Sequence, residues 1–262
     1  MVRSELAVIA MGVVLVAHAD VLCAQPTGSI AQLPDNGGLA ISVGYYRIST
    51  EWETDAHVVG FSGFEHNILY VQGVYDITDA WGIYGRFGAA DAYVGDFTPR
   101  GYLDLGGDRS IDYGFQPYGS IGLMGRIWGS SGSGLRFVTE ASAFGGYERD
   151  KRGVVDPGGW NGTLPVDMVV KYHEIWTAAV AFVAESRVRV GEIYAGLAGY
   201  RSGARSDLKI SASGQTEVEA GYGEGAHHVA AFTGFRIPLW RGWRLHLEGR
   251  VFEPGFGLLL SR

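Results

Sequence analysis

Three features of this 262-residue sequence predict an all-β fold, an antiparallel up-and-down transmembrane β-barrel. Apolar and polar residues alternate over long segments, which is the period of a strand and not that of a helix. The connections between these segments are alternately short and long, as in a barrel whose two ends face different compartments. Charged residues recur on one parity of several segments. A soluble exported β-sandwich or ligand-binding barrel would show the same alternation and is kept as an alternative.

The composition narrows the class of protein further. Hydrophobic residues make up 47% of the chain and charged residues 19%, against about 25% in ordinary domains. Glycine occurs 41 times, more than double its usual share of about 7%. This apolar and aromatic content excludes a disordered chain. The net charge of -7 predicts no nucleic-acid partner.

The first 24 residues have the pattern of an export signal. Arg3 precedes an uncharged, mostly apolar run over 6–17, which is too short to cross a bilayer as a helix. Small residues follow this run. We therefore predict a secretory signal peptide over 1–24, cleaved after Ala24 or, as the alternative, after Ala19. The barrel domain is then 25–262.

Cys23 is the only cysteine of the chain. A lipoprotein would be modified at this position, but Leu22 stands where a small residue is required. Cleavage after Ala24 would leave the mature chain without cysteine. An exported protein without disulfides needs another source of stability, and a closed sheet supplies one.

Nine strands and a short tenth follow the signal peptide, and ten satisfies the even strand number of bacterial barrels; eight is the alternative. The predicted strands are 38–50, 65–77, 81–94, 112–127, 135–148, 169–184, 187–201, 227–238, 243–252 and 256–261. The predicted short connections are 78–80, 128–134, 185–186 and 239–242. The predicted long connections are 51–64, 95–111, 149–168 and 202–226.

Four of these strands separate their two faces most clearly. Their apolar parity holds Ile83, Phe87, Phe115, Ile121, Leu123, Ile127, Leu135, Phe137, Ala141, Tyr147, Trp243, Leu245, Leu247, Gly249 and Val251. Their polar parity holds Tyr84, Arg86, Gln116, Tyr118, Ser120, Arg126, Arg136, Glu140, Ser142, Glu148, Arg244, His246, Glu248 and Arg250. An Arg or Lys facing lipid at the bilayer midplane costs about 2–4 kcal/mol. The apolar parity is therefore predicted to face lipid, and the polar parity to face the lumen.

The charged residues on the lumen side form the candidate site. Buried charges need partners, so we expect them to pair with one another inside the barrel rather than to line a conducting pore. The predicted lumen charge network is Arg86, Arg126, Arg136, Glu140, Glu192, Arg236, Arg244, Glu248 and Arg250. Tryptophans near the predicted strand ends are expected to form aromatic girdles at the membrane surfaces; these are Trp81, Trp128, Trp176, Trp240 and Trp243.

The stretch from Tyr70 to Gly88 contains an aromatic strand, a D-I-T-D-A-W turn and a Y-G-R-F-G return. It resembles small bacterial outer-membrane barrel proteins of the OmpA-like and opacity-like superfamily, which includes the OmpW kind. The resemblance implies an integral outer-membrane protein whose partners are outer-membrane lipid, lipopolysaccharide and the barrel-assembly machinery. Members of this family usually end their last strand in an aromatic residue, and this chain departs from that pattern at residues 258–262. The sequence therefore leaves open which strand closes the barrel.

The expected function is non-enzymatic: envelope structure, surface interaction through the long loops, or narrow passage of small solutes. The alternative is a rim enzyme acting on lipid or peptide. Asp55 and His57 form only a weak acid/base pair, and the chain has neither a D-x-D nor a deacylase-like His-x-Ser motif. Catalytic residues are therefore not predicted.

No metal or cofactor is expected either. His227 and His228 are adjacent, and adjacent residues in a strand point to opposite faces. The acidic residues Glu217, Glu219 and Glu224 fit a solvated loop. The run G-S-S-G-S-G over 129–134 opens no helix and so does not fit a phosphate loop.

Overall fold

The computed structural model describes residues 38–50, 59–60, 64–94, 98–99, 103–104, 111–130, 133–155, 164–212, 215–224, 228–250 and 255–262. The predicted signal peptide over 1–24, including Cys23, lies outside these residues, as do Asp55 and His57. Within the described part of the chain, no helix is long and apolar enough to cross a membrane.

The described residues form sixteen strands and one short 3-10 helix at Trp240–Gly242. The strands are β1 (Leu39–Thr50), β2 (Val59–Gly60), β3 (Phe64–Asp76), β4 (Trp81–Val94), β5 (Thr98–Pro99), β6 (Leu103–Asp104), β7 (Ile111–Asp112), β8 (Gln116–Ser130), β9 (Ser133–Phe144), β10 (Tyr147–Val155), β11 (Leu164–Val188), β12 (Gly191–Ala212), β13 (Gln215–Glu224), β14 (His228–Pro238), β15 (Arg244–Arg250) and β16 (Gly255–Ser261).

Ten of these strands close into a barrel in which every neighbouring pair is antiparallel. Their order around the ring is β12, β14, β15, β16, β1, β3, β4, β8, β9 and β11, and β11 pairs with β12 to complete it. The seam between the two ends of the chain is the pairing of β1 with β16, from Ser42 opposite Ser261 to Ile48 opposite Gly255. The predicted ten-strand barrel is confirmed, and the alternatives of eight strands and of a soluble sandwich are wrong.

Short turns connect the strands at one end of the barrel, which is the periplasmic end in bacterial outer-membrane barrels. The structure corrects two of the four predicted turn positions. The first turn, between β3 and β4, is tight because the Thr78 hydroxyl accepts hydrogen bonds from the backbone N–H groups of Ala80 and Trp81 at 3.3 and 3.0 Å. The turn predicted at 185–186 is wrong, because β11 continues to Val188 and the turn is formed by residues 189–190. The connection predicted at 128–134 is mostly strand, since β8 and β9 leave only 131–132 between them.

The long connections contain strands that the sequence did not predict. Beyond the barrel, β11 and β12 stay paired with each other, while β10 pairs with the outer half of β11 and β13 with the outer half of β12. This sheet of four long strands, joined at its edge by the short β6, is called here the extracellular extension and continues for about 30 Å along its strands. The predicted loops 149–168 and 202–226 are therefore largely wrong, and the Glu217 to Glu224 segment lies in β13. Short strands β5 and β6 fall within the predicted loop 95–111, and β7 lies at the boundary of that loop with the next predicted strand.

The outer wall of the barrel is an apolar belt. Large apolar side chains that are 40 to 74% exposed lie on eight of the ten barrel strands, as far as these are described, among them Val71, Phe87, Ile121, Phe182 and Leu247. An exposed apolar surface of this extent is not compatible with water on that side. Trp81, Trp128, Trp240 and Trp243 surround the periplasmic end of this belt, and Trp176 lies half-exposed towards the other end. The belt therefore faces lipid.

Candidate functional site: the barrel lumen

The lumen holds most of the charged side chains that were predicted to meet there. Those with at most 9% exposure are Arg86, Arg136, Glu140, Glu192, Arg236, Glu248 and Arg250. The other two, Arg126 and Arg244, are half-exposed. Arg126 lies beside the first periplasmic turn, where its backbone N–H donates to the Ala80 carbonyl at 2.7 Å. The inward parity of these strands therefore carries the charged residues, while the outward parity forms the apolar belt.

The first group of lumen charges is the Arg86 cluster, which consists of Arg86, Glu140, Gln72 and Tyr84. The Arg86 guanidinium donates to both Glu140 carboxylate oxygens at 2.9 Å and to Gln72 Oε1 at 2.8 Å. The Tyr84 hydroxyl donates to the same carboxylate at 2.8 Å. The guanidinium also lies 5.2 Å from the centre of the Tyr84 ring, within cation–π distance. The charges of Arg86 and Glu140 are therefore compensated by groups of the protein itself.

The second group is the Glu185 cluster, which consists of Glu185, Arg136, Arg236 and Glu192. The Glu185 carboxylate accepts from Arg136 with one oxygen and from Arg236 with the other, each at 2.6 Å. Arg236 reaches Glu192 at 3.3 Å as well. The cluster joins β9, β11, β12 and β14, so it connects four strands across one side of the lumen. Two arginines and two glutamates give it no net charge.

Among the described residues, Glu185 is the buried carboxylate that the sequence did not place in the lumen. Both parities of β11 are apolar over the residues before it, so the strand offered no polar face to identify the inward side. The charged residue after this apolar run was therefore interpreted as part of a turn at 185–186. In the structure Glu185 lies two and four residues beyond Val183 and Ala181, and all three side chains are buried on the same parity.

The remaining lumen charges lie on β15. Glu248 accepts a hydrogen bond from the Tyr194 hydroxyl at 3.1 Å. The Arg250 guanidinium lies 5.3 Å from the centre of the Tyr46 ring. His246 Nε2 lies 2.8 Å from the Ser261 hydroxyl oxygen. Strands β12, β15, β16 and β1 are connected through these contacts.

Glycines and aromatic rings pair across neighbouring strands inside the lumen. Gly44 lies opposite Tyr70, Gly122 opposite Tyr84, and Gly234 opposite Tyr194. At each of these glycines a Cβ atom would collide with the ring of its partner. The glycine is required because the ring lies flat against the neighbouring backbone. This steric role explains part of the glycine excess of the chain.

An aromatic group lies inside the extracellular end of the barrel. Tyr147 was predicted to face lipid, but it is fully buried and its hydroxyl donates to the Ala90 carbonyl at 3.2 Å. The pairs Tyr113–Tyr147 and His66–Phe144 have ring centres 5.6 and 5.0 Å apart. The prediction for Tyr147 is wrong because the strand is interrupted at residues 145–146, between β9 and β10, which breaks the alternation.

The described side chains of the lumen form ion pairs and hydrogen bonds with one another. Among the described residues, no group of three or more His, Cys, Asp or Glu side chains could hold a metal ion. Of the two predicted histidine neighbours, His228 begins β14 and His227 lies outside the described residues. The arrangement is suited to cross-linking strands, because each buried carboxylate accepts from donors on other strands.

The belt and the lumen together define the class of protein. Only helices and closed barrels satisfy all backbone groups within lipid, and this chain forms the second of these. An antiparallel barrel with an even number of strands, short turns at one end and extended structure at the other is the architecture of bacterial outer-membrane proteins. The chain is an integral β-barrel of the bacterial outer membrane.

Comparisons with solved structures return other barrels. The translocator domain of the autotransporter NalP from Neisseria meningitidis is 9% identical, with 87% of this chain and 89% of that chain covered and a TM-score of 0.40. The CymD monoaromatic hydrocarbon channel is 8% identical, with 86% and 87% covered and a TM-score of 0.38. The outer-membrane protein OprG from Pseudomonas aeruginosa is 10% identical, with 87% and 99% covered and a TM-score of 0.35.

No family model matches the chain, and no curated protein matches it in sequence. The class stated above therefore rests on the belt and the closed ring of strands.

Proposed function

We propose that this chain is a non-enzymatic outer-membrane barrel with a closed lumen, which holds the extracellular extension at the cell surface. The observation that carries the proposal is the burial of the paired lumen charges. The side chains of Arg86, Glu140, Arg136, Glu185 and Arg236 are each at most 4% exposed. A water-filled channel would leave such groups hydrated.

The apolar side chains of the lumen support the same proposal. One continuous buried cluster includes Val74 of β3, Met124 of β8, Val183 of β11 and Phe232 of β14. It also includes Ala198 of β12, which stands five places from β3 in the ten-strand ring and hence on the opposite wall. Side chains from opposite walls therefore belong to one core. Small barrels of about this strand number are commonly filled in this way.

The extracellular extension supports the surface role. Its four strands continue the barrel wall outward, so a partner outside the cell would meet an ordered sheet rather than a flexible loop. Lys171 and Lys209 are exposed on it. Surface interaction through this sheet fits the structure better than passage of solutes through the lumen.

The test is single-channel recording on the folded barrel in a planar bilayer. We expect no discrete conductance steps from the wild-type protein, with folding verified by the shift of the unboiled band on a gel. Glu185→Gln should produce transient steps, because it removes the carboxylate that holds two arginines. Arg187→Gln is the control, since the Arg187 side chain is 62% exposed. Steady steps from the wild type would overturn the closed lumen in favour of a narrow pore.

A further inference from the structure

The apolar belt contains an open groove on its outer wall. It is formed on β12, β14, β15 and β16 and has a volume of about 630 Å³. Its lining includes Thr233, Phe235, Leu247, Gly249, Phe256 and Leu258. The groove exists because Gly249 and Thr233 are small residues between larger neighbours. A Cβ atom on Gly249 would meet nothing within 4 Å, so the floor of the groove is open space.

A polar cluster lies beside this groove on the same outer wall. Arg47 of β1 is directly opposite Phe256 of β16, which pairs in turn with Gly249 of β15. Antiparallel neighbours are about 4.8 Å apart, so Arg47 lies about 10 Å from the groove floor. The Arg47 side chain is 51% exposed, and one of its terminal nitrogens donates to Glu65 at 2.8 Å.

The cluster continues from Arg47 to neighbouring strands at the extracellular edge of the belt. The Tyr45 hydroxyl donates to the Asn67 side-chain oxygen at 2.7 Å, and the Asn67 side-chain amide donates to Asp91 at 2.8 Å. Below this level the outward residues of β3 are apolar, beginning with Leu69. The cluster therefore lies at the extracellular edge of the belt, level with Phe256 and Gly249, and the groove extends from that level towards the periplasmic end along Leu247 and Leu258.

The chemistry of the cluster favours one kind of headgroup. Arg47 offers guanidinium donors suited to a phosphate. Glu65 and Asp91 are acceptors beside it, and their charges would oppose a bare anion. A headgroup that joins phosphate to donor groups such as sugar hydroxyls would satisfy both the cation and the carboxylates. The Tyr45 ring, 5.7 Å from the Phe256 ring, adds an apolar surface between the cluster and the groove.

We propose that the groove and the Arg47 cluster form a single binding site for a phosphorylated glycolipid of the outer leaflet. One acyl chain lies in the groove against Phe256 and Leu258. The sugar phosphate contacts Arg47, and the sugar hydroxyls donate to Glu65 and Asp91. This site is independent of whether the lumen is closed, since both parts of it lie outside the barrel.

The test is native mass spectrometry of the full-length protein released from detergent with added lipid. The probes are diphosphoryl lipid A, dephosphorylated lipid A and phosphatidylglycerol at equal concentration. The wild type should retain one diphosphoryl lipid A at least tenfold more strongly than either other probe. Gly249→Leu should abolish this preference, because the new side chain fills the groove. Gly119→Leu is its matched control, an outward glycine on the far wall where a Cβ meets only a backbone oxygen at 3.8 Å.

A second pair of variants tests the headgroup contact. Arg47→Gln should lower retention of diphosphoryl lipid A about tenfold and leave retention of the dephosphorylated probe unchanged. Arg241→Gln, at an exposed residue of the periplasmic turn, should change neither. Equal retention of all three probes by the wild type would overturn the proposal and leave only non-specific lipid around the belt. Loss of retention in Gly249→Leu without any effect of Arg47→Gln would overturn it as well.

Discussion

At the scale of single residues, the lumen is organised around buried carboxylates that each accept from more than one donor. Glu185 joins Arg136 and Arg236, and Glu140 joins Arg86 and Tyr84. Removing one partner of a buried ion pair is costly because the other charge stays buried without compensation. Glu185 is the extreme case, since its single carboxylate accepts from two buried guanidinium groups.

We expect Glu185→Gln to lower the free energy of unfolding by about 3–5 kcal/mol. The substitution keeps the side-chain shape and removes the charge. The measurement is urea unfolding of the barrel in lipid vesicles, followed by tryptophan fluorescence. Arg187→Gln serves as the control and should cost at most about 1 kcal/mol, because the Arg187 side chain is 62% exposed and its contact with Glu192 is long, at 3.5 Å. Similar losses in the two variants would contradict the central role of Glu185.

For single residues, the sequence predicts which side chains face inward but not which of them pair. Alternation in β4 and β9 identified Arg86 and Glu140 as inward residues, because each has apolar neighbours on the other parity. It could not indicate which charges pair, since the partners are 54 residues apart in the chain. It missed Glu185 because β11 is apolar on both faces, and it misplaced Tyr147 because the strand is interrupted just before it.

At the scale of elements, the extracellular extension is the main departure from the predicted strands. The sequence placed loops at 149–168 and 202–226 because glycines and charged residues interrupt the alternation there. The described residues of these two segments are strand because β10 and β13 extend the pairing already present between β11 and β12. Once a hairpin is fixed in a barrel wall, continuing its ladder requires no new nucleation.

The lysines provide a test of where the extension lies. The three lysines of the chain are Lys151, Lys171 and Lys209, and all belong to it. We expect a membrane-impermeant amine reagent to label Lys171 and Lys209 on intact cells, as measured by peptide mass spectrometry.

The matched control for this labelling is Asp79→Lys, at an exposed residue of the periplasmic turn. A lysine there should be labelled only after the outer membrane has been permeabilised. Labelling of residue 79 on intact cells, with protection of Lys209, would reverse the orientation.

At the scale of the whole molecule, closure of the barrel depends on the seam between β1 and β16. Seven residue pairs form this seam, and among the described residues no other strand pairing joins the two ends of the chain. A closed sheet has no free edges, which removes the sites where another chain could add by strand pairing. Closure also creates the separation between a lipid-facing wall and an internal core.

A disulfide across the seam should report its register. In a Cys23→Ser background, Val43→Cys with Leu260→Cys places two thiols directly opposite each other. Opposite residues have Cα atoms about 4.5–5.5 Å apart, within the range that a disulfide spans. We expect rapid oxidation in membranes and a faster-migrating denatured band.

The register control is Val43→Cys with Leu258→Cys, in which the two residues face the same side but are displaced by two positions. Such diagonal neighbours are about 7–8 Å apart, so this pair should oxidise slowly. Faster cross-linking of the control pair would show that β16 is shifted relative to β1.

The sequence by itself determined the class of this protein: strand period, even strand number, lipid-facing parity and inward charges. These are local properties, because the alternation of side chains along a strand is set by the backbone of that strand alone. The tertiary structure decided which strand closes the ring, which charges pair, and that β11 and β12 continue beyond the membrane. Those features depend on contacts between residues far apart in the chain, and such contacts exist only once the sheet has closed on itself.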